Sequence, residues 1–343
     1  MTGTVSRSLL TENAVATQRV GGLVELPGLL REMGIDPQRV WADAQVDPRI
    51  FDHIDARIPV NALDRLVGSC LEHTQCPHFW LLVGQRWRLD HFGRMGELML
   101  CAPTVGHALR TFAVMQHLNS DVGATFVLEY PERAGFGYAI FRRMRWPDQI
   151  YDAAIAITCN LLRGLCRLHW TASEVLLARP LPHDLAPYRQ CFGAHMRFEQ
   201  AYSAVLFSSR WLVQPTPEAN TKRHLALQLA IDPQGDVDLI PKLQRTLRVL
   251  LIQGQSSADA LAQILSMHRR TLNRRLQEQG TTFQKLLDKV RLDVARELLL
   301  HNNTPIDEIA SALCYADVSA FMHAFRRWTG TTPGHFRQEN RAG

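Results

Sequence analysis

Apolar residues in the last third of the chain recur every three or four positions, the spacing of helices buried along one side. This predicts a helix over about Val237–Gln253, with Leu239, Leu243, Leu247, Leu250 and Leu251 on one face and Gly254 ending it. Ser257 can cap a short helix over Ala258–Leu265. A turn at Ser266-Met267 leads into a helix over about His268–Gln279, and Gly280 fits the position just past its end. Thr281 and Gln284 have capping-box spacing for a longer helix to about His301, with Phe283, Leu287, Val290, Val294 and Leu298 on one stripe. The order then repeats. Thr304 is expected as a cap, with Pro305 at N1 and Asp307 at N3 of another short helix. Asp317 caps a helix over Val318–Thr329, Gly330 ends it, and Thr332-Pro333 opens a last helix to about Asn340.

A short helix, a tight turn and a second helix therefore occur twice. These are two helix-turn-helix units, joined by a helix of roughly 20 residues, about 30 Å long. That length can set two recognition helices about one DNA turn, roughly 34 Å, apart. Residues 236–343 are thus expected to form an all-α domain of two helix-turn-helix units and a long linker helix.

The first 213 residues have a different pattern. Pro59–His73 and Pro103–Leu118 show helical spacing, and Pro147–His169 carries a longer stripe through Ile150, Ala153, Ala154, Ile157, Leu161, Leu165 and Leu168. Ala124–Tyr130 and Phe136–Phe141 have the character of strands, and the intervening PERAG makes them a hairpin. Glu174–Ala178 and Ala204–Ser208 are two further strand candidates. Residues 1–213 are therefore expected to form an α+β domain. Residues 214–235 hold Pro215, Pro217, Pro233 and Gly235 and are assigned as the interdomain linker, with a short helix between Glu218 and Ile231.

Composition narrows the function. The chain has 343 residues, 46% apolar and 21% charged, the balance of a globular protein of two domains. It has no run of 18 apolar residues and no secretory signal, so no membrane contact and a cytoplasmic location are expected. Its seven cysteines form no CxxC pair, and its 14 histidines show no zinc spacing. No metal and no cofactor are expected. Charge is unevenly spread: residues 236–343 hold 15 Lys+Arg against 11 Asp+Glu, the remainder 23 against 22. Ser266–Arg275 alone carries four arginines and no acid. Such a cluster suits DNA phosphates, although a solvated helix face has the same appearance.

The helical period then sorts the side chains. Leu272 and Leu276 face the core, leaving Arg270, Asn273, Arg274 and Gln277 outward. Arginine can bind guanine bidentately, and Asn or Gln can bind adenine. Arg269 and Arg275 lie on the flanks, where phosphate contacts are expected. In the second unit Phe321 and Phe325 face the core. Val318, Ser319, Met322 and His323 face outward, with Arg326 and Arg327 behind them as phosphate partners. This second reader is less polar.

The stretches RRTLNRRLQEQGTTFQKLLDKVRLDVARELLL and PIDEIASALCYADVSAFMHAFRRWTGTTPGHFR resemble the AraC/XylS family of bacterial transcription regulators. Leu272, Leu276, Gly280, Arg291, Ala295, Ile309, Ala310, Phe321, Phe325, Gly330, Pro333 and Phe336 fall on that family's framework. The resemblance puts base contacts on Arg270, Asn273 and Arg274, and on Ser319, Met322 and His323. There are two departures. Cys314 stands where the family has Gly before the aromatic Tyr315, and His323 stands where Arg is frequent. The first reduces backbone freedom. The second puts base reading by the second unit in doubt and offers a pH-sensitive contact. More loosely, LLREMGIDPQRVWADAQVDPRIFDHIDARIPVNALDRLV, GRMGELMLCAPTVGHALRTF and PHDLAPYRQCFGAHMRFEQAYSAVLFSSRWL resemble the effector domain of one branch, labelled arabinose-binding by analogy.

The resemblance implies a homodimeric regulator, an activator more often than a repressor. It implies double-stranded promoter DNA, a small organic effector and RNA polymerase as partners. No effector-binding residue stands out. Two alternatives remain: an N-terminal domain that only dimerises, and an enzyme carrying a DNA-binding tail. Against the enzyme, the sequence has no GxSxG, HExxH, GxGxxG or P-loop pattern. It also lacks the clustered N-terminal cysteines of a methyl-accepting repair protein.

Overall fold

A computed structural model of the chain describes residues 16–140, 142, 144–166, 170–200, 202–231, 239–252, 254–264, 267–301 and 305–341. An α+β domain is followed by an all-α domain. The first opens with a small ribbon, in which β1 (Thr17–Arg19) pairs antiparallel with β2 (Arg57–Pro59). Between and after these strands come α1 (Leu26–Glu32), α2 (Pro37–Ala44), α3 (Val60–Thr74) and α4 (Phe79–Gln85). Next are α5 (Arg94–Leu100) and α6 (Val105–Met115). The hairpin predicted from the alternating pattern follows as β3 (Gly123–Glu129) and β4 (Arg133–Ile140).

The long α7 (Pro147–Cys166) leads to β5 (Glu174–Leu176), α8 (Ala186–Phe192), β6 (His195–Arg197) and β7 (Ser203–Ser208). The five-stranded sheet has the order β3-β4-β7-β5-β6, antiparallel except where β6 joins β5. Neither β6 nor the β1–β2 ribbon is predicted from the sequence pattern. These three-residue strands carry no apolar run; β5 is as short, but the run Val175–Ala178 marks it.

The sheet is buried on both faces, so each strand has two different jobs. Phe136 of β4 opposes Val127 of β3 and Val205 of β7. Phe136 and Val205, with Ala134 and Phe207, face the core built by α6 and α7. The alternate residues Ala124, Phe126, Leu128, Ala139, Ala204 and Leu206 form a second cluster on the opposite face. There the Phe126 ring lies across Gly137, where a Cβ would come within 2.4 Å of it. This strand position admits only glycine beneath that ring.

A separate cluster holds α1–α4 together through Leu30, Trp41, Leu66, Phe79 and Trp80. It joins the rest where α4 crosses α7 at Gly84, whose added Cβ would lie 2.5 Å from the Ala153 carbonyl. Two turns on, the Asn160 amide donates to the carbonyls of Gln85 (2.8 Å) and Trp87 (3.0 Å), closing the end of α4. At the seam between the two clusters lies a cavity of about 100 Å³ with no charged side chain in its wall.

The chain leaves this domain through a docked segment. Asn220 N–H donates to the Cys101 carbonyl (2.9 Å), and the Thr216 hydroxyl lies 2.6 Å from the Leu100 carbonyl. Helix α9 (Thr221–Ile231) buries His224, whose Nδ1 lies 2.9 Å from the Leu98 carbonyl, while Arg223 pairs with Glu97 at 3.2 Å.

The second domain comprises α10 (Leu239–Ile252), α11 (Ala258–Ile264), α12 (Arg269–Glu278) and α13 (Phe283–His301). It ends with α14 (Ile306–Ala312), α15 (Val318–Thr329) and α16 (Pro333–Arg341). The sequence-predicted order of elements is observed throughout, with small differences at the ends. The start at Val237, Gln253, the end of the second helix at Leu265, Ser266 and the cap at Thr304 lie outside the described residues. Pro305 is the N-cap of α14 instead of its first residue. The cap of α13 is Thr282, whose hydroxyl accepts from the Lys285 N–H at 3.3 Å. Gln284 does not reach back; it bonds Asp288 at 2.9 Å.

One buried ionic group ties α7 to β5 and α8. Asp152 accepts from the Tyr188 hydroxyl at 2.7 Å and pairs with Arg179. Removing one partner leaves a buried charge uncompensated. Asp152→Ala should therefore cost about 3–5 kcal/mol of stability in urea unfolding. Val213→Ala, at an exposed position, should change it little.

Candidate nucleic-acid interface

The two helix-turn-helix units share one core. Leu243 and Leu247 of α10, Leu261 of α11, Leu272 and Leu276 of α12, and Phe321 and Phe325 of α15 belong to a single cluster around α13. The buried face of α13 is wider than the predicted stripe. Leu286, Leu287, Val290, Arg291, Ala295 and Leu299 are buried, whereas Phe283, Val294 and Leu298 are only half-buried. A helix covered from two sides buries more than one stripe.

In the first unit Ser257 caps α11, accepting from the Ala260 N–H at 3.1 Å. Gly280 takes φ +68°, and the Thr281 N–H returns to the Leu276 carbonyl at 2.9 Å, closing α12. Because Leu272 and Leu276 are fully buried, the other side of α12 is fixed outward. Arg270, Asn273, Arg274 and Gln277 are all exposed. Arg269 is exposed and pairs with Asp259 at 3.0 Å; Arg274 pairs with Glu278 at 3.2 Å. Arg275 is half-buried. Exposed pairs of this kind hold the guanidinium groups out on the surface at little cost to their release.

In the second unit Asp317 caps α15, accepting from the Ala320 N–H at 2.7 Å, and Gly330 ends the helix at φ +78°. Ser319, Met322 and His323 are exposed, as are Arg326 and Arg327. Val318, expected outward, is half-buried against the core beneath α15. Arg327 reaches back to Asp288 of α13 at 3.2 Å.

The residue with the widest reach is Arg291, which sequence reading places only in the framework. Its Nε donates to the Leu313 carbonyl (2.9 Å) and its Nη2 to the Cys314 carbonyl (3.0 Å), at the turn of the second unit. The same Nη2 lies 3.4 Å from Ser256 Oγ, at the start of the first unit. The guanidinium also sits 4.4 Å from the centre of the Tyr315 ring. The signal for this brace is an arginine set between the apolar residues Val290 and Leu292.

Cys314 is the other special position. It adopts φ +58°, the left-handed region where glycine is favoured, and the Tyr315 N–H closes the turn onto the Ala310 carbonyl at 3.0 Å. Burial pushes its thiol up, and Arg291 pulls it part of the way back. The side chain thus stays a neutral thiol, 3.8 Å from the Leu251 carbonyl.

These contacts give two expectations. Cys314→Gly should be more stable than Cys314→Ala by about 1 kcal/mol in thermal or urea unfolding, because both lose the sulfur and only glycine relieves the left-handed strain. Arg291→Met should cost about 2–4 kcal/mol, since it strands buried carbonyls. Arg291→Lys should recover only part, lacking the planar fork.

Comparison with known proteins fits this geometry. Residues 34–216 match the family model for the arabinose-binding domain of AraC transcription regulators, and residues 261–339 match a helix-turn-helix domain model. The chain is 43% identical over 277 residues to the HTH-type transcriptional regulator VqsM of Pseudomonas aeruginosa, covering 75% of this chain and 82% of that protein. It is 27% identical over 331 residues to the ornithine utilization regulator of the same organism, covering 90% and 93%. Over 81 residues it is 38% identical to the HTH-type transcriptional activator RhaS of Escherichia coli, covering 23% and 29%. Two units braced around one helix and an N-terminal domain matched along most of its length lead to one conclusion: the chain belongs to the AraC family of DNA-binding transcription regulators.

Proposed function

We propose that the protein is a homodimeric transcription activator that responds to a small organic effector. In this reading residues 1–213 bind the effector and dimerise, 214–235 link, and 236–343 bind DNA. The observation that carries the DNA-binding part is the outward polar face of α12, set by its buried leucines. Arg270, Asn273, Arg274 and Gln277 read base edges in the major groove, and Ser319, Met322 and His323 make the second, less polar contact. Arg269, Arg275, Arg326 and Arg327 hold phosphates.

Activation is supported by the likeness of the helix-turn-helix region to the transcriptional activator RhaS, and contact with RNA polymerase belongs to the same reading. Dimerisation is supported by apolar surface on α9, where Leu225 and Leu229 stand one turn apart at 54% and 69% exposure. Among the described residues no helix is long and apolar enough to cross a membrane, which agrees with a cytoplasmic regulator. No enzymatic role is proposed, because the matched relatives are regulators.

Base and phosphate contacts differ in how they fail. Against a panel of operator variants, Arg274→Ala should weaken binding by about 1–3 kcal/mol and relax preference at one base position. Arg269→Ala should weaken all sites alike and reduce the salt dependence by about one unit of slope. Identical behaviour of the two variants would show that the assigned facing of α12 is wrong.

A further inference from the structure

Four residues that line the cavity at the seam of the two N-terminal clusters each carry a buried polar atom without a partner. Trp80 Nε1, Gln116 Oε1, Asn119 Oδ1 and Thr125 Oγ1 are each buried with no hydrogen-bond partner, and all four residues line this one cavity. Such groups are rare in folded proteins, and each costs about 1–3 kcal/mol when left unmet. The four come from α4, from the turn after α6, and from β3, so no single local defect explains them. The remaining wall is largely apolar and includes the Phe136 ring and Tyr138.

From this we infer that the cavity is a binding site for a small, uncharged molecule with an apolar body and a hydroxyl or amide group. The inference rests on the effector reading above and gives that effector a chemical class. Neutrality follows from the wall, which offers no counter-charge to an ion. The polar group follows from the orphans. The two amide oxygens accept from an O–H or N–H, the Trp80 indole donates to an oxygen, and the Thr125 hydroxyl can do either. Small size follows from the volume of about 100 Å³. That exceeds the need of one water, so a water cluster is the competing occupant.

The position of the site also gives it a route outward. Thr125 and Tyr138 oppose each other on β3 and β4 and line the cavity. Their neighbours Ala124, Phe126 and Ala139 point to the other face, where Val249 of α10 packs. One layer of sheet therefore separates the cavity from the first helix of the DNA-binding domain. An occupant that shifts β3 shifts the surface on which α10 rests.

The test uses the full-length protein labelled with ¹⁵N, the Trp80 indole signal being assigned with Trp80→Phe. Phenol and benzyl alcohol serve as neutral probes, benzoate and benzylamine as charged ones of similar shape. The neutral probes should move the Trp80 signal saturably, with Kd on the order of 1 mM for so few atoms. Thr125→Val, which keeps the shape and removes the hydroxyl, should weaken them about fivefold while leaving the melting temperature close to that of the parent. A Trp80 signal that ignores the neutral probes, or answers charged probes equally, overturns the inference; in the first case the cavity holds water only. If charged compounds raise the melting temperature without moving Trp80, the inference falls while effector sensing elsewhere in the domain stands.

Discussion

A β-strand has two faces, and in this protein both are used. Strand β3 gives Thr125 to the cavity, Val127 to the α6–α7 core, and Ala124, Phe126 and Leu128 to the surface that meets Val249 of α10. A slip of one residue in the pairing of β3 with β4 would exchange every one of these assignments. The register is therefore the constraint on which the architecture depends. It is pinned by Phe126 lying over Gly137 and by the pairing of Val127 with Phe136. Few alternative pairings put a glycine under that ring.

The DNA-binding half has its own equivalent in Arg291. A double helix-turn-helix presents a constant spacing to DNA only if its units do not move independently. Here the joining helix is buried from both sides, and its arginine bonds the turn of one unit while lying against the start of the other. The same hydrogen bonds hold the carbonyls of Leu313 and Cys314, on either side of the left-handed residue. The departure from glycine at 314 is thus tolerated where the backbone is most firmly held. Gly280 and Gly330, which end the second helices of the two units, take the left-handed conformation without such strain.

Much of this was legible in the sequence, and the reason differs by region. Long amphipathic helices such as α7 and α13, and a hairpin with seven or more residues in each strand, carry enough periods to be read directly. Exposure of the α12 side chains followed from two leucines four residues apart. The short strands β1, β2 and β6, seven-residue helices such as α1 and α5, and the parallel pairing of β6 left no such trace. The cap of α13 was misplaced by one residue because Thr281 and Thr282 are chemically equal and only the backbone distinguishes them. The cavity was invisible for a deeper reason. Trp80 lies far in the chain from Gln116, Asn119 and Thr125, the segments have the patterns of ordinary core, and only their missing partners set them apart.

The two connections between the domains differ in strength. The segment through α9 is latched by hydrogen bonds to the end of α5, by the buried His224 and by the Arg223–Glu97 pair. The contact of α10 with the sheet includes an apolar patch where Val249 joins Ala124, Phe126 and Leu128. A polar latch resists sliding, whereas a small apolar contact is non-directional and can repack at modest cost. A ligand can bias an equilibrium only by its differential affinity for two states, so the state it moves must be close in energy to its alternative. The fold tethers its DNA-binding half through the α9 latch and rests α10 on the back of the sheet that walls the cavity, so any bias set in the cavity would reach α10 through β3.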